Sequence, residues 1–267
     1  MQSLAGPAAR SGFGSTSRTD AWWRSPLLIF TGLTFFLSYM TWAAFQNAYF
    51  EFGSYLSPLY SPVIWGDSPH AWFGGKPTWW PSFLPFSPAL LILWAPAGFR
   101  VTCYYYRGAY YKSFWADPPA CAVGEPRTSY WGENSFPLLI QNLHRYFMYI
   151  AVLFLVVLSY DAYLAMWFED PATGAVSFGI GVGTLVLIIN PIMLTGYTLG
   201  CHSLRHLVGG FKDHFSSSPT RTKAYDCVSC LNRGHMNWAW TSLVWVSFTD
   251  FYVRMCAMGV FTDFRLF

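Results

Sequence analysis

The chain has 267 residues, of which 54% are hydrophobic and only 11% charged. Soluble domains carry about 25% charged residues, so this composition argues against a water-soluble globule and, with a net charge of only +3, gives no footprint of nucleic-acid binding. Aromatic residues make up 21%, including 14 Trp, the type that suits an apolar ring meeting a wet headgroup layer.

A bilayer core of about 30 Å needs roughly 20 apolar residues in helical form. In chain order the sequence predicts a cytoplasmic N-terminal segment 1–24, rich in Ser, Gly and Ala and flexible or held by a partner. A transmembrane domain over 25–262 follows. Its five spans are placed at about 27–46, 85–108, 138–167, 177–207 and 236–260, which makes the fold class all-α, a polytopic helix bundle. The first apolar run is too long for a signal-peptide core and follows a long polar lead, so it is expected to stay as a span. The second span is interrupted by Pro85, Pro88 and Pro96. Between the first two, residues 47–87 hold Trp65, Trp72, Trp79 and Trp80 among prolines and are expected to lie on the bilayer as a cap. No internal repeat is visible.

Thirteen of the 16 Lys and Arg residues fall before the first span, in the second and fourth loops, or at the start of the third span. The positive-inside rule then puts the N-terminus in the cytoplasm and the C-terminus outside, in a multi-pass protein of the plasma membrane. Charges within spans each need a reason, because insertion costs about 2.5–3.5 kcal/mol at the bilayer centre. Asp250 and Arg254 are spaced to pair on one helix face, and Asp161 falls near the outer end of the third span. They form either an interhelical salt-bridge layer or a polar path near the outer side. Asn190, just before Pro191, would satisfy carbonyls freed by a kink.

Four of the six histidines fall at cytoplasmic helix ends. His144 opens the third span, His202 and His206 close the fourth, and His235 opens the fifth. His70 and His214 sit in loops. Cys227 and Cys230 form a C-x-x-C just before His235, a spacing in which a tight turn presents two sulfurs to one metal. On the cytoplasmic side such a pair stays reduced, which favours a ligand role over a disulfide. Within one continuous helix, Cys201 points about 100° away from His202. Cys103 and Cys256 read as packing residues and Cys121 as an isolated thiol.

The stretches Asn142-Leu-His-Arg-Tyr-Phe-Met-Tyr and Cys201-His-Ser-Leu-Arg-His-Leu-Val-Gly-Gly carry a likeness. With them the chain resembles the membrane anchors of succinate dehydrogenases and fumarate reductases, in their single-chain five-helix form, and most closely the actinobacterial ones. Arg205-His206-Leu207 is similar to the Arg-His element at the cytoplasmic helix end of these anchors. The resemblance covers most of 25–260. It implies docking to a flavoprotein subunit and an iron–sulfur subunit on the cytoplasmic side, with electrons passing to membrane quinone and no chemistry on succinate in this chain. The basic, aromatic loops (Tyr104 to Arg107, Trp115, Tyr130 and Trp131) would form the docking face.

Two-haem anchors need four axial histidines at two depths, which this chain lacks. A single haem b between His144 and one of His202, His206 or His235 is one expectation. A histidine-ligated, Rieske-type [2Fe–2S] centre is the favoured one, because it also uses the cysteines. Its expected metal ligands are Cys227, Cys230 and His235, with His202, His206 or His144 supplying the other imidazole. His144, Arg205 and Trp238 are assigned to quinone. The competing readings are a transporter using Asp161, Asp250 and Arg254, and a scaffold stapled by zinc.

Overall fold

The structure, a computed structural model, describes residues 12–127, 129, 134–136, 138–170, 172–210, 214 and 218–267. The first eleven residues of the N-terminal segment, Tyr130, Trp131 and Lys212 lie outside the described residues. Nine α-helices appear among the described residues: α1 (Arg24–Gln46), α2 (Pro88–Ile92), α3 (Trp94–Val101), α4 (Tyr104–Phe114), α5 (His144–Leu164), α6 (Val182–Leu199), α7 (His202–Gly209), α8 (Pro219–Arg233) and α9 (His235–Ala257). Two antiparallel ribbons join them, β1 (Glu51–Phe52) with β2 (Tyr55–Leu56), and β3 (Trp167–Glu169) with β4 (Val176–Phe178).

Three helical segments are long and apolar enough to cross a bilayer: Arg24–Gln46, Leu138–Leu164 and Val182–Leu199. α9 has the length of the expected fifth span but carries Asn237, Asp250 and Arg254 along it. The expected second span, 85–108, is not one helix. Pro88 starts α2, Leu93 ends it, α3 begins at Trp94 with Pro96 in its first turn, and an extended Cys103 separates α3 from α4. Proline is tolerated in a first turn because the missing N–H has no partner there, so each proline marks a start and the run breaks into pieces. The expected fourth span, 177–207, also breaks, at Gly200 and Cys201.

The chain forms two compact units, Met1–Leu37 with Arg100–Asn142, and Ser38–Phe99 with Leu143–Phe267. In the first, residues 14–18 bond to residues 121–124. Gly14 N–H donates to the Gly124 carbonyl (2.9 Å) and Gly124 N–H to the Ser15 carbonyl (2.8 Å). Arg18 Nη1 donates to the Cys121 carbonyl at 2.9 Å. Gln141 Nε2 donates to the Tyr110 hydroxyl (2.8 Å), which ties the approach to α5 onto α4.

In the second unit, α6 packs against both α5 and α9. Residues 47–63 are not a surface flap. Phe50, Leu56, Leu59, Tyr60 and Val63 bury themselves against Ala43, Ala44, Ala89 and Val246. Tyr60 stacks on Phe50 at 4.2 Å and donates its hydroxyl to the Ala43 carbonyl at 2.7 Å.

Below this wedge lie the charges of α9. Asp250 and Arg254 pair at 3.3 Å, both under 2% exposed. The carboxylate also accepts from Tyr39 (2.6 Å) and Ser57 (2.5 Å). The guanidinium donates to the Ala48 carbonyl (2.6 Å) and lies 5.4 Å over the Trp42 ring. Asp161 accepts from Ser61. These contacts match the packing-layer alternative: each charge named here has protein partners, as burial demands.

The C-terminal residues close the same end. Asp263 accepts the Gly183 N–H in the first turn of α6 (2.8 Å) and the hydroxyls of Tyr55 (2.7 Å) and Tyr252 (2.7 Å). A carboxylate at that position satisfies an orphan amide and complements the positive helix end.

Candidate metal centre

The other end of the second unit, about 29 Å along α9 from Arg254, gathers the histidines. A 3₁₀ turn over Leu138–Leu143 runs straight into α5, so His144 occupies the first helical position. The side chain is 4% exposed. Its ring lies between two parallel neighbours, Phe99 at 4.8 Å (7°) and His202 at 5.5 Å (4°). Such stacking fixes the imidazole plane, and Nε2 comes within 3.0 Å of Cys201 Sγ.

Cys201 is fully buried and caps α7, its sulfur accepting the Ser203 N–H at 3.3 Å. The cap stands at the break between α6 and α7. The break that creates it is built by crowding. A side chain on Gly200 would meet the Gly196 carbonyl at 2.6 Å and the Leu231 carbonyl at 3.1 Å. Asn232 Nδ2 then clamps the Gly200 carbonyl at 2.7 Å.

The result is a group of three ligand atoms, from His144, Cys201 and His202, all within 4.8 Å of one another. With metal–sulfur bonds of about 2.3 Å and metal–nitrogen bonds of about 2.0 Å, ligands sharing one tetrahedral ion sit roughly 3.5 Å apart. The observed spread closes to that value with small side-chain adjustments, so the set fits a metal held by mixed thiolate and imidazole.

The expected ligands are distributed differently. His202 belongs to the group, but His206 instead meets Arg145, at 3.1 Å from Nη2 to Nδ1. His235 opens α9 and stacks on Tyr197 at 5.1 Å, and Tyr197 in turn stands edge-on to Phe99 at 5.2 Å. Cys227 and Cys230 lie within α8, exposed, and outside the group. The tight turn expected for the C-x-x-C is absent because Pro219 starts a helix that runs through both cysteines to Arg233. Trp238 lies flat on α6 where Gly196 leaves room, a Cβ there falling 2.4 Å from the indole. Arg205 is exposed, its Nε bonded to Ser229 at 3.0 Å and its guanidinium 5.1 Å from the Tyr225 ring.

Sequence reasoning set Cys201 aside and left His144 open between the metal and the quinone; both stand inside the group. The 100° offset between Cys201 and His202 holds only for an unbroken helix. The signal that would have found them is the Gly200 just before the pair, a natural helix end.

A membrane-embedded helical chain with a Cys/His cluster at one end of its bundle is thus the class defined by fold and site. Residues 24–259 match the family model for the actinobacterial succinate dehydrogenase subunit SdhC, and the chain belongs to that family. It is accordingly a multi-pass membrane protein and a membrane subunit of a succinate dehydrogenase. Among solved structures it is similar to a chain of the Mycobacterium smegmatis Sdh1 complex in the apo form. The identity is 42%, with 98% of this chain and 97% of that one covered and a TM-score of 0.86. A search of curated proteins returns no match.

Proposed function

We propose that this subunit is the membrane anchor through which a succinate:quinone oxidoreductase delivers electrons to membrane quinone. In this reading a flavoprotein subunit and an iron–sulfur subunit dock on the cytoplasmic side, at the end of the second unit that carries His144. The observation that supports it is the group of buried His144 and Cys201 with exposed His202, Nε2 of His144 and Sγ lying 3.0 Å apart.

The donor set favours a histidine-ligated [2Fe–2S] centre over haem b. His144 and His202 are stacked face to face, with ring planes 4° from parallel, and a thiol stands beside them. Such a mixed set suits iron–sulfur chemistry. When bound, the centre would supply one-electron transfer at a potential raised by histidine ligation. Cys201 would be one thiolate and His144 and His202 the imidazoles, three of the four ligands a [2Fe–2S] centre takes; Cys227 and Cys230 are the alternative thiolates.

The remaining residues hold and seal the site. Phe99 keeps the His144 ring in plane. Tyr197 and His235 wall it beside α9, which limits water at the ligand atoms. Arg205 and Trp238 are the side chains we assign to the quinone, Arg205 as donor to a carbonyl oxygen and Trp238 as an apolar wall.

Low-temperature EPR on the assembled complex tests this. The expected result is a dithionite-reduced signal of low average g that Cys201→Ser abolishes and Cys227→Ser leaves in place. Loss of the signal in Cys227→Ser but not in Cys201→Ser would move the centre to the C-x-x-C. A low-spin ferric haem signal in the oxidised sample would replace the cluster with haem.

A further inference from the structure

We propose that residues 64–87 form an interfacial plate whose aromatic rim inserts into the lipid leaflet at the end of the bundle opposite the histidines. The segment leaves the buried wedge at Val63 and returns to α2 at Pro88. Between these points it exposes Trp72 (58%), Phe73 (68%), Trp79 (60%) and Phe83 (82%).

The rings are joined. Trp65 contacts Phe73 at 5.5 Å and Trp79 at 5.7 Å, Trp79 contacts Trp80 at 6.1 Å, and Trp80 contacts Phe86 at 5.4 Å. The backbone beneath them is pinned, Trp72 N–H to the Val63 carbonyl (2.9 Å) and Gly66 N–H to the Gly74 carbonyl (2.8 Å). The rings therefore form a fixed surface rather than the side chains of a loose loop. Left in water, each large ring forgoes the gain of burial, and contiguous patches of this kind mark a contact surface.

Three features select lipid as the occupant. Exposed apolar side chains flank its return to the bundle, Leu84 (41%) before α2 and Trp94 (60%) after it. Its rings are mostly tryptophan, the residue that prefers the boundary between acyl chains and headgroups. Its one Lys or Arg, Lys76, holds Nζ 6.0 Å over the Phe86 ring, and its one acidic residue, Asp67, stands near the segment's start beside Gly75. An ammonium over an aromatic ring at the boundary suits a lipid phosphate.

The test uses the whole complex with a genetically encoded dansyl-alanine at Phe73 or Phe83, reconstituted in nanodiscs of phosphatidylglycerol and phosphatidylethanolamine. Lipids carrying a nitroxide near the headgroup are expected to quench the probe about twofold or more, and aqueous iodide to leave it nearly unchanged. Quenching by iodide alone would show the plate in water. Protection from both quenchers would show it covered by protein. Either result overturns the proposal, and neither depends on which metal the histidine end holds.

Discussion

The two ends of the second unit solve opposite problems with polar groups. At the Asp250–Arg254 end, full charges are taken out of water and matched: an ion pair, two hydroxyl donors, a backbone carbonyl and an indole face surround them. At the His144 end the polar atoms are acceptors of electrophiles. Two imidazoles and a sulfur converge, held by ring stacking and a helix cap. The first arrangement is complete within the chain. The second is a set of electron-pair donors, the kind a metal would accept. Burial alone therefore does not mark function; the sign and completeness of the partnering do.

The contrast can be broken most sharply at the histidine end. Cys201→Ser or His144→Ala in the purified complex is expected to remove nearly all of the iron in the anchor's centre while leaving subunit assembly intact, read by metal analysis and size-exclusion chromatography. Retained iron in both variants would mean that the group is only packing. At the other end, Arg254→Met strands the Asp250 carboxylate and should destabilise the complex by about 3–5 kcal/mol. The thermal midpoint in detergent reads this, and Asp250→Asn added to Arg254→Met should recover part of the loss. An unchanged midpoint in the single variant would show that the pair does not hold that end together.

Tyr39→Phe removes one hydroxyl donor to the same carboxylate and should cost about 1.5 kcal/mol, the smaller effect of a charge-assisted bond lost from a network that keeps its other members. Replacing Cys227 and Cys230 together by Ser is the smallest perturbation. Both are exposed on α8, so the midpoint should move by less than about 0.5 kcal/mol equivalent and the iron content should hold. Loss of iron in that variant would return the C-x-x-C to the centre.

Much of the bundle was legible from hydropathy. The span read at 27–46 became Arg24–Gln46, that at 138–167 became the 3₁₀ turn and α5, and that at 236–260 became α9 over His235–Ala257. Apolar length is what a bilayer demands, and length shows directly in sequence. Helix breaks are less visible, because the runs around Pro96 and Gly200 stay apolar across the interruption while the backbone turns. That missed turn decided the site. It put Cys201 beside His144, whereas a continuous helix would have rotated it away. Convergence of histidines at one end was readable from depth alone; which of them meet depends on ring stacking with Phe99, a residue 45 positions earlier that no local pattern connects to His144.

Asp263 has a consequence for the order in which the protein is made. It caps the first turn of α6 from 80 residues downstream, and its Tyr55 partner lies 208 residues upstream. At 5–20 residues per second, roughly 4–16 s separate synthesis of that helix start from synthesis of its cap. Through that interval the Gly183 amide must find another partner, water or a lipid headgroup, while the Tyr55 hydroxyl can hold Thr184 Oγ1, 3.2 Å away. The segment around Asp263 is therefore the latch of this end of the bundle, and a ribosome stalled in α9 would leave it open.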